Sequence, residues 1–276
     1  MLGSVILFVD SSTMLLYPMY HRFLTKNWIY FHLLSFALNG IAIIGMFAVP
    51  ESPKYLIGKQ RFKEAKESLA LMAKINGHSV AGAQALKLES YSISKPTLSG
   101  SIRDLLGDGK HRRNLARSIL LWICNLMAYY TVYFHMRHLK GDYFFNVIAF
   151  GGCELAAYAL GAFLTKRLGY KASLKASFVL TIVATLLYLL LRESYADALP
   201  VVMALAGFAI VWGCSTNWVA NSELFPVIYA SSTNGICNLF GRFASALAPL
   251  IAEIEQPYPM VIICFASVLA TISLIP

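Results

Sequence analysis

The chain has 276 residues, of which 58% are hydrophobic and only 13% charged, with a mean hydropathy of +0.61 and a formal charge of +9. Soluble domains run nearer about 45–50% apolar and about 25% charged, so the charges present are too few to clothe a soluble surface. Collagen, disorder and a disulfide scaffold are excluded too: there is no glycine period, Leu, Ile and Phe abound, and cysteines number five. An all-α, polytopic membrane protein remains.

Crossing ~30 Å of hydrocarbon takes about 20 mostly apolar helical residues. Eight stretches qualify: 1–20, 28–50, 116–136, 144–164, 173–192, 198–218, 230–252 and 258–275. β-Barrel strands would be about 10 residues long and strictly alternating, which these runs are not. The first stretch carries no Lys or Arg and includes Asp10, so it reads as a span and not as a cleavable leader or transit peptide. Asp10, Ser11, Ser12 and Thr13 form a polar notch that lines a cavity or bonds to another subunit; the residues leave both readings open.

The one sizeable polar segment is 51–115. Phe62, Ala65, Leu69, Met72 and Ile75 fall on one stripe and predict an amphipathic helix over 60–75, lying along the membrane surface and ended by Gly77. Residues 79–109 read as linker, with short helical pieces near 81–89 and 101–106. Six spans follow. In the first of these, Tyr129, Tyr130, Tyr133 and Phe134 are either a substrate-facing wall or packing with an interfacial belt. His135 and His138 stand at its exit, at headgroup level. Cys124, Cys153, Cys214, Cys237 and Cys264 lie inside apolar runs without metal-type spacing and act as small hydrophobes, so no cofactor or metal is expected. A phosphate loop, a His-Glu-x-x-His pair and a nucleophile elbow are all missing from the sequence, which argues against an enzyme.

Basic residues set the orientation. The segments 50–117 and 166–175 hold 17 of the 23 Lys and Arg, which puts them, and with eight crossings both termini, on the cytoplasmic or matrix side. Arg22, Lys26, Arg137, Lys140 and Arg192 mark the other side. The positive charge is thus mainly an orientation signal, with anionic headgroups as a secondary contact and nucleic acid not an expected partner.

Several passages carry a family likeness. Val49-Pro50-Glu51-Ser52-Pro53-Lys54-Tyr55-Leu56 resembles the Pro-Glu-Ser-Pro-Arg-Trp-Leu signature that follows the sixth helix of organic ion and sugar transporters. Prolines at 50 and 53 stop a span at the interface, while Ser52 is placed to cap the next helix and Glu51 to complement its N-terminus. Glu223-Leu224-Phe225-Pro226, then Asn238-Leu239-Phe240-Gly241-Arg242 and Ala248-Pro249, look like the Glu-Leu-Tyr-Pro…Gly-Arg…Ala-Pro passage of helices ten and eleven. The chain therefore resembles a major facilitator transporter, akin to the organic anion/cation (solute carrier 22-like) family, cut after its fourth helix. The resemblance implies two helices from the end of the N-terminal half (1–50), a cytoplasmic or matrix-facing loop (51–115) and a complete C-terminal six-helix bundle (116–276).

It also implies roles. Arg242 matches the site on helix eleven where an arginine favours anionic substrates, offering a bidentate fork to a carboxylate or sulfate; an internal pair with Glu154, or hydration in a cavity, is the alternative. Tyr130 and Glu154 join it as substrate-binding candidates, although a glutamate at 154 also fits a structural role between helices. Glu223, Arg167 and Glu51 are what remains of a cytoplasmic charge network for gating. Two positions depart from the family pattern: Lys166 stands where it has an acid, and Ala230 where it has an arginine.

Two functions follow. One is transport of small organic ions, anions by virtue of Arg242, with other membrane subunits covering helices 1–50 and supplying the missing helices. The other is a non-transporting accessory subunit of a larger complex, which Lys166 and Ala230 favour; the plasma membrane suits the first and the mitochondrial inner membrane the second. Orientation is directly testable. Impermeant thiol labelling of single cysteines at Ser99 and Gly141 is expected to report opposite sides, and same-side labelling would overturn the span count.

Overall fold

The protein, seen in a computed structural model, is described here over residues 2–47, 49–79 and 102–275. Among these residues it is helical without a strand: α1 (Leu2–Met19), α2 (Trp28–Met46), α3 (Pro53–Gly58), α4 (Phe62–Ile75), α5 (Ile102–Gly107), α6 (Gly109–His135), α7 (Tyr143–Leu168), α8 (Tyr170–Leu191), α9 (Leu199–Leu224), α10 (Val227–Ser245), α11 (Ala248–Ala252) and α12 (Tyr258–Ser273). Six described segments are long and apolar enough to cross a membrane: Trp28–Met46, Gly109–His138, Tyr143–Leu168, Tyr170–Leu191, Ala196–Leu224 and Val227–Ala252. The expected first span coincides with α1, and the expected eighth is α12, a shorter apolar helix. The chain is an integral, multi-pass helical membrane protein.

Boundaries differ from the hydropathy reading where local chemistry intervenes. α6 begins at Gly109, before the predicted 116, because Lys110, His111, Arg112 and Arg113 continue the helix into the polar phase. The predicted span 230–252 is interrupted after Ser245: Pro249 takes a first-turn position of α11, where its missing N–H would have no partner anyway. Asp142 caps α7, accepting from the Phe144 and Phe145 backbone N–H at 2.8 and 3.4 Å. Gly169, at φ +79°, joins α7 to α8 in a conformation that side chains disfavour.

One compact unit comprises residues 1–28, 113–224 and 233–276. In it α9 packs on α7 and α8, α1 on α7, and α12 on α8. Two apolar clusters line up along α6. Leu121 and Cys124 meet Leu174, Phe178, Ala220 and Ala270 in one; Tyr129, Val132 and Met136 meet Phe150, Tyr188, Met203 and Ile263 in the other. Contact rather than water exclusion holds such helices together in lipid, so small residues matter at the crossings. The space a Cβ on Gly161 would need is filled by the Trp212 indole, and Gly207 lies against the Phe150 ring.

The second unit comprises 29–112 and 225–232. Its α3 and α4 form a helical hairpin closed by Leu56 and Ala65 with Ile57, Phe62 and Leu69 around them. Ser52 occupies the N-cap position of α3 but its hydroxyl makes no capping bond; Pro53 starts the helix instead. Glu51 turns to Arg61, 3.5 Å away, and its carbonyl accepts from Ser68 Oγ at 2.8 Å. Gly77, at φ +70°, ends α4 as expected, with the His78 N–H reaching the Ala73 carbonyl at 2.8 Å. The helical piece expected near 81–89 lies outside the described residues; that near 101–106 is α5.

Glycine packing gives a test. Gly207→Ala would drive a methyl into the buried Phe150 ring, whereas a Cβ on Gly235 meets nothing within 4 Å. Thermal unfolding in detergent should show Gly207→Ala destabilised by about 1–3 kcal/mol, with Gly235→Ala unchanged or slightly stabilised. Equal effects of the two substitutions would contradict the packing described.

Candidate functional site

Within the first unit, α1, α6, α7, α9 and α10 surround a cavity of about 220 Å³. Its polar lining includes Tyr129, Tyr130, Glu154, Asn238 and Arg242, with Trp122, Tyr158 and Trp218 as aromatic walls. Arg242 reaches it from α10. Its Nη1 donates to Tyr130 Oη at 2.5 Å, its Nε to Asn238 Oδ1 at 3.3 Å, and its guanidinium carbon lies 5.8 Å from the Tyr130 ring centroid. Asn238 stands one helical turn before Arg242, so the same helix supplies the charge and one of its anchors. A guanidinium has five N–H donors; two are engaged here.

Glu154 enters from α7 and is buried. Tyr129 Oη donates to its two carboxylate oxygens at 3.2 and 3.3 Å. Adjacent tyrosines on α6 therefore serve opposite charges: Tyr129 holds the acid, Tyr130 the base. Arg242 and Glu154 line one cavity but make no ion pair with each other among the described residues. Such an arrangement keeps a cation available at a concave, partly aromatic surface, which suits an anionic group on a small ligand.

Two residues of the polar notch are here too: Ser11 and Thr13, together with Met14, line the cavity from α1. α1 comes close because Gly151 faces the backbone of Met14 and Leu15, where a Cβ would meet it at 3.4 Å. Trp122 is 4% exposed, its ring centroid is 4.9 Å from that of Trp218, and its Nε1 is buried without a hydrogen-bond partner among the described residues.

Across residues 6–275 the chain matches the model of the "sugar (and other) transporter" family. It belongs to that family. Curated relatives include the mouse organic cation/carnitine transporter 2, 29% identical over 73% of this chain and 36% of its own length. Solute carrier family 22 member 7 from rat is 28% identical over 84% and 44%, and the solute carrier family 22 member 15-like protein of Xenopus laevis 25% identical over 86% and 49%. The chain thus spans less than half the length of these relatives. The major facilitator likeness and the transporter-like, non-enzymatic character read from the sequence stand on these matches.

Of the six residues singled out from the sequence, Arg242, Tyr130 and Glu154 are brought together. Arg167, Glu223 and Glu51 are not joined to one another by any ion pair among the described residues. Arg167 stacks on Phe163 at 4.5 Å, Glu223 is exposed near Tyr170, and Glu51 belongs to the α3–α4 hairpin. In that hairpin, the hydrogen bond from Arg61 holds the Glu64 carboxyl below its ordinary value. His135 stands at the end of α6. It is fully buried, with Nε2 2.8 Å from Tyr188 Oη and Nδ1 3.2 Å from Gln256 Nε2. Sequence reading missed Trp122, Trp218 and Asn238. Only Asn238 carried a signal, its one-turn offset from an intramembrane arginine.

Double-mutant cycles separate the pairings. Arg242 and Tyr130 should couple by about 1–2 kcal/mol in stability, against under about 0.5 kcal/mol for Arg242 with Glu154. Stronger coupling in the Arg242–Glu154 pair would mean that these two partner each other after all.

Proposed function

We propose that the chain is the substrate-recognising part of a carrier for small organic anions. A guanidinium on the wall of an aromatic cavity, with N–H donors left over and no carboxylate paired to it among the described residues, carries this reading. Arg242 would take a carboxylate or sulfate as a bidentate fork, Tyr130 would hold the guanidinium in position, and the tryptophan and tyrosine walls would cover the apolar body of the substrate. Glu154, held by Tyr129, would fix the facing side of the cavity and exclude ligands with a second negative charge near it. Alternating access would proceed by rocking of two helical bundles about this site, the bundle not supplied by this chain coming from further polypeptide. Membership of a transporter family supports the class of activity, and a relative's name includes organic cations and carnitine, so the anion preference rests on Arg242 alone. Glu223, Arg167 and Glu51 would serve gating on the side that carries the basic loops.

A second reading, an accessory subunit without transport, is favoured by Lys166 and Ala230, where the family pattern has an acid and an arginine. It also accommodates α2, none of whose residues is buried among the described residues, so that other membrane helices would cover it.

Uptake into vesicles from cells that naturally express the chain decides between the two. Labelled aromatic carboxylates and sulfates should enter faster than quaternary amines of the same size. Arg242→Ala should abolish that uptake with the protein still present, and Arg242→Lys should restore it only partly because the fork is lost. Wild-type uptake by Arg242→Ala would defeat the recognition role; absence of uptake for every probe would favour the accessory subunit.

A further inference from the structure

The α3–α4 hairpin carries a surface that the transport reading does not use. α4 buries Ala65 and Ser68 against α3, yet its last turn leaves Leu71, Met72 and Ile75 exposed at 39%, 44% and 73%. These three positions share one side of the helix at spacings of three and four. Exposed lysines lie on the same hairpin: Lys54 on α3, Lys63 in the first turn of α4 and Lys74 in its last. Residues 51–75 contain six Lys and Arg against three Asp and Glu. Two of the three acids, Glu51 and Glu64, are engaged by Arg61, at 3.5 Å and at 2.5–2.8 Å. These pairs leave the balance of charge unchanged, so the hairpin as a whole is net positive.

Chain connectivity limits where this surface can go. The link from Met46, the end of membrane-spanning α2, to Pro53 covers at most roughly 25 Å when fully extended at about 3.5 Å per residue. That is comparable with the headgroup layer plus one helix diameter, so the hairpin is tethered at the leaflet from which α2 emerges. The chain re-enters the membrane through the basic start of α6, at Lys110, Arg112 and Arg113. A short amphipathic helix with lysines flanking an apolar turn, held beside a bilayer, has the make-up of an interfacial anchor.

We propose that the α3–α4 hairpin docks on anionic phospholipid at this leaflet, with Leu71, Met72 and Ile75 seated at the headgroup–acyl boundary and Lys54, Lys63 and Lys74 facing the phosphates. The occupant is lipid rather than a protein because the patch is small, the hairpin that carries it is net positive, and it lies within tether length of the membrane. Anionic lipid would then hold the connection between α2 and α6 at the surface and couple leaflet composition to the carrier. This surface is independent of Arg242.

Hydrogen exchange on the full chain tests it without touching the transmembrane cysteines. The protein is reconstituted in nanodiscs of phosphatidylcholine alone or of phosphatidylcholine with phosphatidylserine, and amide exchange is followed over residues 62–75. Phosphatidylserine should slow exchange at the last turn of α4, and high salt should reverse the slowing. Near an anionic surface each basic residue contributes about 1 kcal/mol, so Lys63→Gln or Lys74→Gln should each remove roughly fivefold of the lipid-dependent protection. Leu71→Ser with Ile75→Ser should remove it in phosphatidylserine while leaving exchange at 62–66, the α3-facing end, unchanged. Equal exchange in both lipids would overturn the proposal. Protection that survives both lysine substitutions, or that appears only when another protein is added, would overturn it in favour of a protein partner.

Discussion

A charge inside a bilayer needs a counter-charge, hydrogen bonds or water, and the arrangement of the larger unit follows from meeting that need twice. On insertion scales an arginine or an acid near the middle of a span costs roughly 2.5–3.5 kcal/mol. Here Arg242 and Glu154 meet the requirement separately, each through a neighbouring tyrosine of α6. Placing Tyr129 and Tyr130 side by side on one helix turns their hydroxyls to different neighbours, α7 on one side and α10 on the other. The rest of the site depends on that split. Direct pairing would have neutralised both charges and left the cavity without an electrostatic preference.

Keeping the helices near enough for this arrangement is the work of small residues. Hydrophobic burial gives no net drive between helices already in lipid, so close contact and polar bonds must supply it. Gly241, next to Arg242, allows α10 to approach the Trp122 backbone and the Leu126 side chain on α6. Gly151 admits α1 onto α7, and Gly161 makes room for Trp212, whose Nε1 donates to Thr165 Oγ1 at 3.1 Å. At the far end of α6, His135, Tyr188 and Gln256 close a partly buried ring of hydrogen bonds that ties α6, α8 and the loop before α12 together. The cavity thus has a sparsely bonded middle between a well-packed end and a polar clasp.

Much of this was legible from the sequence because hydropathy and proline and glycine punctuation act locally. The C-terminal Gly77 of α4 and the amphipathic stripe from Phe62 to Ile75 appear where residue type alone placed them, whereas α2 ends at Met46, short of the expected exit at Pro50. Family words led to Arg242, and an intramembrane acid and an aromatic run to Glu154 and Tyr130; the three line one cavity. Partner choice was not legible. That Glu154 takes Tyr129 and not Arg242 is decided by how α7 and α10 rotate about α6, and periodicity carries no record of rotation. The partners of His135 were hidden for a similar reason: only the folded chain brings Tyr188 and Gln256 onto it. The interruption near Leu247 was hidden because apolar residues continue through it, and only Pro249 marked the place.

Equilibrium binding of a matched ligand pair addresses the central claim most directly: that a guanidinium held by Tyr130 gives the cavity an anion preference. An aromatic carboxylate and its uncharged primary amide, identical in shape, would be titrated into the purified protein and followed by the shift in thermal unfolding midpoint. The account predicts stabilisation by the carboxylate well above that by the amide, with the difference disappearing in Arg242→Gln. Equal stabilisation by the two ligands, or a carboxylate preference that persists in Arg242→Gln, would contradict it.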